Sequence, residues 1–186
     1  IDLAGDDGVL VPAFRLLLGA ASPVFKKMLY GDFAEANKST ITIQGANQKM
    51  IEALVEFSIS DKLNTDSWKS SDSSETVLDL VALSKLSHRF ELKRLRTVTE
   101  DYCAKLLVKA PELACCMFAA SCPFSTPNIH RDALEAIRQK PYETLTRRSS
   151  LSSESIACLS PERLTMVLKD DQINAPEIFL FERLQD

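Results

Sequence analysis

Two histidines and five cysteines are the residues of this chain best suited to chemistry, and their spacing decides which chemistry is open to them. Cys115, Cys116 and Cys122 sit close enough to suggest zinc ligands, with His88 or His130 completing a set. No C-x-x-C pair is present, however, and adjacent cysteines on a helix point to different faces. An odd count also argues against a disulfide framework, so all five, with Cys103 and Cys158, are expected as small core hydrophobes. The remaining nucleophile reading pairs Cys103 with His88 in a thiol enzyme, but nothing nearby in sequence would activate the thiol. Neither histidine adjoins a Gly-x-Ser-x-Gly turn, a paired-carboxylate motif or a phosphate-binding glycine loop. The expectation is a noncatalytic protein with no metal and no cofactor.

Lys85, Arg89 and Lys93 recur at four-residue intervals, with Arg94 and Arg96 beside them. Nucleic-acid patches have this look, yet no aromatic stacking platform accompanies the stripe. The 186-residue chain is acidic overall, with 22 Lys and Arg against 26 Asp and Glu and a net charge of −4. A solvated helix face, or a seat for an acidic partner, is expected, with neither nucleic acid nor membrane as a partner. Hydrophobic residues at 45% and charged ones at 26% permit a sizeable core. No apolar run reaches the ~18 residues that span a bilayer, and no basic-then-apolar leader opens the sequence, so a cytoplasmic or nuclear location is expected.

The elements that must position these residues begin with a hairpin. Ile1–Leu3 and Val9–Val11 flank Gly5-Asp6-Asp7-Gly8, a turn that needs positive φ, and Pro12 closes the second strand. Phe14 to Leu18 forms a short, almost wholly apolar helix expected to be buried. Ser22-Pro23 then starts a helix as cap and first position, with Val24, Phe25, Met28 and Leu29 on one face and Gly31 at its end. Ser39 to Ile43 alternates as a strand, and from Asn47 the residues Met50, Ile51, Leu54, Val55 and Phe57 give an amphipathic helix. Asn64 to Ser74 is serine-rich around the only tryptophan, Trp68, and is expected to be a mobile loop that either pins itself on a neighbouring helix or holds a partner. The rest reads as helical. Val77, Leu80, Val81 and Leu83 form one stripe, and Leu92, Leu95, Val98, Tyr102, Cys103 and Leu106 another. Pro111 opens a segment with Leu113, Met117 and Phe118. Leu134 and Ile137 follow until Pro141, Ser160-Pro161-Glu162 caps a helix of Leu164, Val167 and Leu168, and Ile178 to Leu184 ends the chain. The fold class is α+β, a mixed front half and a helical back half, with too few strands for a sandwich or a parallel sheet with crossovers.

The order and wording of these segments resemble the BTB (POZ) family. Val11-Pro12-Ala13-Phe14-Arg15-Leu16-Leu17-Leu18 is similar to its "hPAHK-hhL" segment, where h is apolar, with Phe14 at the usual histidine. Ala20-Ala21-Ser22-Pro23-Val24-Phe25-Lys26-Lys27-Met28 resembles "AARSPVFxxM", and Gly31-Asp32-Phe33-Ala34-Glu35-Ala36 resembles "xxFxEA". Leu54-Val55-Glu56-Phe57 stands at "LLxFIYTG", where Asp61 replaces the glycine, and Leu80-Val81-Ala82-Leu83-Ser84 stands at "LLxLAxxY". Ala133-Leu134-Glu135-Ala136-Ile137 and Leu159-Ser160-Pro161-Glu162-Arg163-Leu164 through Glu177 are similar to the BACK helical region. The resemblance implies a BTB/POZ domain, a small sheet flanked by helices, over 1–107 and an all-α BACK-like region over 109–186, truncated at its C-terminus.

It also implies function. BTB domains are noncatalytic assembly modules, many of which homodimerise through the first helix and hold a cullin scaffold of the third type as substrate adaptors of ubiquitin ligases. Phe33 and Glu35 match the apolar-x-Glu motif of such adaptors and are the expected cullin-binding residues. Leu16, Leu17, Leu18, Ala20 and Ala21 are the expected homodimer interface, since three consecutive leucines in a short helix cannot all face one core. The partners so implied are a second copy, a cullin scaffold and a substrate protein whose identity the sequence does not give. A homo-oligomeric scaffold or transcriptional co-regulator without cullin binding is the alternative.

Overall fold

A computed structural model describes residues 1–68, 73–145, 156, 158–176 and 179. Two compact units are present, one of Ile1–Trp68 with Ala82–Thr99, the other of Lys69–Val81 with Glu100–Asp186.

The first unit is built on a three-stranded sheet. Strands β1 (Asp2–Ala4) and β2 (Leu10–Pro12) pair antiparallel, with Leu3 opposite Val11. Gly8 takes φ 72° in the connecting turn, as the hairpin reading requires. Both turn aspartates are occupied structurally: the amide of Gly45 donates to Asp6 Oδ2 at 2.8 Å and that of Gln48 to Asp7 Oδ2 at 2.6 Å. Strand β3 (Thr40–Thr42) adds to the other side of β1 in parallel, with Leu3 opposite Ile41. The strand order β2-β1-β3 makes the sheet mixed, as the α+β class expects, and its one parallel pair needs a crossover connection. A parallel pair needs a connection of about a dozen residues or more, and the helices between β2 and β3 supply it.

Those helices are α1 (Arg15–Ala21) and α2 (Pro23–Tyr30), followed by a 3-10 turn at Ala34–Asn37. Ser22 caps α2 by accepting from the amide of Phe25 at 3.0 Å, and its hydroxyl donates to the carbonyl of Phe90 at 2.5 Å. Phe25 and Phe90, both buried, stack with centroids 4.3 Å apart, an arrangement worth ~0.5–1.5 kcal/mol beyond their burial. Asn47 caps α3 (Gln48–Ser60), which turns Ile51 and Leu54 into the core and leaves Glu52 and Glu56 outside. Asp61 ends α3 in the left-handed region at φ 56°, a conformation Asp adopts more readily than most residues. Trp68, in a 3-10 turn at Asp66–Trp68, is 2% exposed, and Lys49 Nζ lies 4.5 Å from its ring centroid. That pinning on α3 is one of the two roles open to it in sequence. The middle of the serine-rich segment lies outside the described residues.

Helices α4 (Ser73–Arg89) and α5 (Lys93–Lys109) follow. Between them Glu91 takes φ 53°, and the amide of Leu92 reaches back to the carbonyl of Ser87 at 2.8 Å. The α4 stripe is buried as expected. On α5 the buried face is rotated: Leu92, Leu95, Thr99, Cys103 and Leu107 are inside, while Val98 is exposed and Leu106 half-buried. Thr99 can go inside because its hydroxyl donates to the carbonyl of Leu95 at 2.8 Å.

The second unit continues with a 3-10 turn at Pro111–Leu113 and helices α6 (Ala114–Ala120), α7 (Pro127–Gln139), α8 (Pro141–Thr144) and α9 (Pro161–Leu168). In α6 the residues Ala114 to Phe118 are all buried, so Cys115 and Cys116 sit inside on different faces of a helix surrounded by protein. Ile129, Ala133 and Ile137 give α7 its buried face; Leu134 is only half-buried. Arg163 of α9 donates to the carbonyls at the end of α6, those of Phe118 and, at 2.7 Å, Ser121. The terminal helix expected over Ile178 to Leu184 falls outside the described residues except for Phe179. None of the helices among the described residues is long and apolar enough to cross a membrane.

Candidate functional site

Cys103, Cys115 and the two histidines each have a defined structural setting. Cys103 and Cys115 are buried, and burial pushes both thiols up to about 12, so neither supplies thiolate near neutrality. His88 Nδ1 is 2.9 Å from Arg96 Nη1. A guanidinium only donates, so this nitrogen accepts and the hydrogen sits on Nε2. His130 stacks on Phe118 with centroids 4.5 Å apart and meets Ser121 Oγ at 3.0 Å; burial first, then the Arg163 charge, holds its pKa below the usual histidine value. Among the described residues no group of three or more His, Cys, Asp or Glu is placed to hold a metal.

The surface of the first unit is more informative. The end of α2 at Gly31 leads into the extended Phe33 and then the 3-10 turn carrying Ala34 and Glu35. A side chain at Gly31 would meet the Lys27 carbonyl at 2.5 Å, so close packing, not left-handed backbone, requires glycine there. Phe33 is 57% exposed, one of several exposed aromatic rings that include Phe14 and Phe124. Glu35 is half-buried and paired with Lys38 at 3.5 Å, on the same turn. An exposed ring with a carboxylate two residues later can fill an apolar pocket and accept hydrogen bonds beside it.

Arg15 fixes this turn. From the start of α1 its Nη1 donates to the carbonyl of Ala36 at 2.6 Å and its Nη2 to that of Lys38 at 2.5 Å. A weaker contact reaches the carbonyl of Leu29 at 3.5 Å. One planar fork thus joins α1, the last turn of α2 and the Phe33–Glu35 segment. The only sequence signal was a cation opening an otherwise apolar helix.

The α1 helix is less buried than its composition predicts. Leu18 is 1% exposed, Leu17 is half-buried, and Leu16 is 73% exposed, with Phe14 exposed before it and Ala20 and Ala21 exposed after. Residues two apart on a 3.6-residue helix lie on nearly opposite faces, so Leu16 and Leu18 cannot share an environment. Leu18 is accordingly a core residue and is removed from the expected interface. Leu17, Ala20 and Ala21 line an open cleft of 590 Å³ together with Phe57, Ile59 and Leu95. Gly19 lets α1 lie against the ring of Tyr30, whose Cε2 a side chain there would meet at 2.9 Å.

The family model for the BTB/POZ domain matches residues 1–107. Human Kelch-like protein 41 is 23% identical over 171 residues, 92% of this chain and 25% of that protein. Human Kelch repeat and BTB domain-containing protein 6 is 25% identical over 169 residues, 90% of this chain and 23% of its own length. BTB/POZ and MATH domain-containing protein 5 of Arabidopsis thaliana is 31% identical over 103 residues, covering 50% of this chain and 24% of that protein. The chain thus spans about a quarter of the length of these curated relatives.

Proposed function

The chain belongs to the BTB/POZ domain family and is a protein-interaction module; from that premise we propose that it is a homodimerising substrate adaptor that presents Phe33 and Glu35 to a cullin scaffold. The observation that carries the proposal is the exposed Phe33 ring on a turn clamped by Arg15, with the Glu35 carboxylate on the same turn. A rigid anchor loses little conformational entropy on binding, which favours it as an interface centre. The exposed Leu16 and Phe14, with Leu17, Ala20 and Ala21 beside them, support α1 as the face that meets a second copy. Residues 109–186 belong to the proposal as a BACK-like helical region. A cytoplasmic or nuclear setting and a separate substrate protein complete it.

The test is capture of a cullin of the third type by the wild-type chain and by the Phe33→Ala, Glu35→Ala double variant. Loss of capture with an unchanged far-ultraviolet spectrum and melting temperature is expected. Undiminished capture by the double variant would falsify the assignment of these two residues. For the dimer, light scattering at micromolar concentration is expected to give twice the chain mass, reduced to one chain mass by Leu16→Asp; a monomeric wild type overturns it.

A further inference from the structure

The stripe from Lys85 to Arg96 concentrates charge that the totals hide. It holds five Lys and Arg and a single Glu, a local net of +4 inside a chain of −4, which leaves −8 on the remainder. Folding converts this stripe into a hollow. The end of α4, the left-handed turn at Glu91 and the start of α5 enclose a cleft of 470 Å³ lined by Ser87, His88, Arg89, Glu91, Lys93 and Arg96. A second hollow of 200 Å³ shares Arg89 with it and is lined also by Lys85, Gln44 and Gly45.

The walls are held in place. Arg89 Nη1 donates to the carbonyl of Gln44 at 2.9 Å, and Arg96 donates to His88 Nδ1 at 2.9 Å. The tautomer this imposes leaves His88 with a further donor at Nε2. The first turn of α5 carries no acidic residue, so the positive end of the helix dipole adds to the side-chain field, against the single carboxylate of Glu91 in the cleft wall. Arg94 stands apart, paired with Asp61 at 2.5 Å. Lys85, His88, Arg89 and Lys93 are exposed.

We propose that this cleft is a docking site for a short acidic segment of a partner protein. Charge complementarity identifies the occupant: a cluster of donors and cations a few residues across suits several closely spaced carboxylates. Length and surroundings decide against a nucleic acid. A polyanion strand extends well past one cleft and would run onto a surface carrying −8, whereas a short acidic segment ends before it. Phe90, the aromatic in the stripe, is buried and offers no stacking platform. An anionic bilayer is broad and would also meet the surface carrying −8, and within the cleft Leu86, Leu92 and Leu95 all point inward and offer it no apolar wedge. This site is separate from Phe33 and Glu35, so its success or failure leaves the cullin proposal untouched.

The experiment is fluorescence anisotropy with a labelled twelve-residue peptide of alternating Glu and Gly, a labelled single-stranded RNA of equal charge, and vesicles of mixed neutral and anionic lipid. Saturable binding of the peptide is expected, weakened several-fold as salt rises from about 50 to about 300 mM. The Lys85→Glu, Lys93→Glu variant is expected to bind at least ~10-fold more weakly with an unchanged melting temperature. The Lys26→Glu, Lys27→Glu variant, equal in charge change on the exposed face of α2, is expected to bind as the wild type does. Undiminished binding by the first variant, an equal loss in the second, or tighter binding of the RNA or the vesicles each overturns the proposal.

Discussion

Replacing Arg15 with alanine should loosen the one turn on which the proposed function depends, and the size of the effect follows from the three carbonyls it serves. The bonds to Ala36 and Lys38, at 2.6 and 2.5 Å, are short and charge-assisted; the 3.5 Å approach to Leu29 counts for little. A buried hydrogen bond to a charged group contributes ~1.5–3 kcal/mol, and partial exposure here lowers that to about 1–1.5 kcal/mol each. The total is ~2–3 kcal/mol. In a chain of this length each kcal/mol moves the melting temperature by ~2–4 °C, so Arg15→Ala should melt ~4–12 °C lower. Hydrogen exchange should localise the change, because the amides of Ala36 and Lys38 close the same turn on Phe33 and Glu35 at 3.0 and 3.1 Å. Arg15→Lys keeps the charge but has no planar fork, so it should fall between the two. If Arg15→Ala melts within ~1 °C of wild type and exchange at Ala36 and Lys38 is unchanged, Arg15 does not hold the turn and the preorganisation argument for Phe33 fails.

Three further outcomes are expected. At Asp61, a left-handed non-glycine costs ~1 kcal/mol, while the exposed Arg94 pair contributes ~0–1 kcal/mol, so Asp61→Gly should leave the melting temperature unchanged or slightly raised and Asp61→Val should lower it; an Asp61→Val chain as stable as wild type would refute the left-handed cap. Because burial raises the Cys103 and Cys115 thiols to about 12, the folded state favours their protonated form. Their contribution is full below the ordinary thiol value of about 8.5 and is lost as pH rises toward 12, so the urea midpoint should fall between about pH 8 and pH 10.5 in the wild type and fall less in a Cys103→Ala, Cys115→Ala chain. Alkylation of the native protein near neutral pH should reach the half-exposed Cys122 and Cys158 before these two, as mass spectrometry of the digested chain would read; early labelling of Cys103 would contradict its burial.

The helices that the sequence showed best are those with local signals. Ser22-Pro23, Asn47 and Ser160-Pro161 mark helix starts because a capping side chain bonds an amide only two or three residues on, and each cap is present. The hairpin was equally legible, since Gly8 supplies the positive φ of its own turn. The buried face of α5 was not, because its inward line runs Leu95, Thr99, Cys103 and Leu107 at four-residue steps and includes a threonine whose hydroxyl is satisfied only by the folded helix's own Leu95 carbonyl.

The sequence by itself therefore determined the order of elements, the absence of familiar catalytic motifs, the apolar-x-Glu pattern at Phe33 and Glu35 and the family resemblance, all of which rest on residue type and short spacing. Tertiary structure alone decided which leucine of α1 is core, that β3 joins β1 in parallel, that Arg15 reaches twenty-odd residues along the chain to clamp the Phe33 turn, and that scattered cations close into a cleft. The physical reason is range. Caps, turns and periodicity act within one or two helical turns, whereas burial, strand partnership and side-chain bonds to distant carbonyls exist only once the chain has returned on itself.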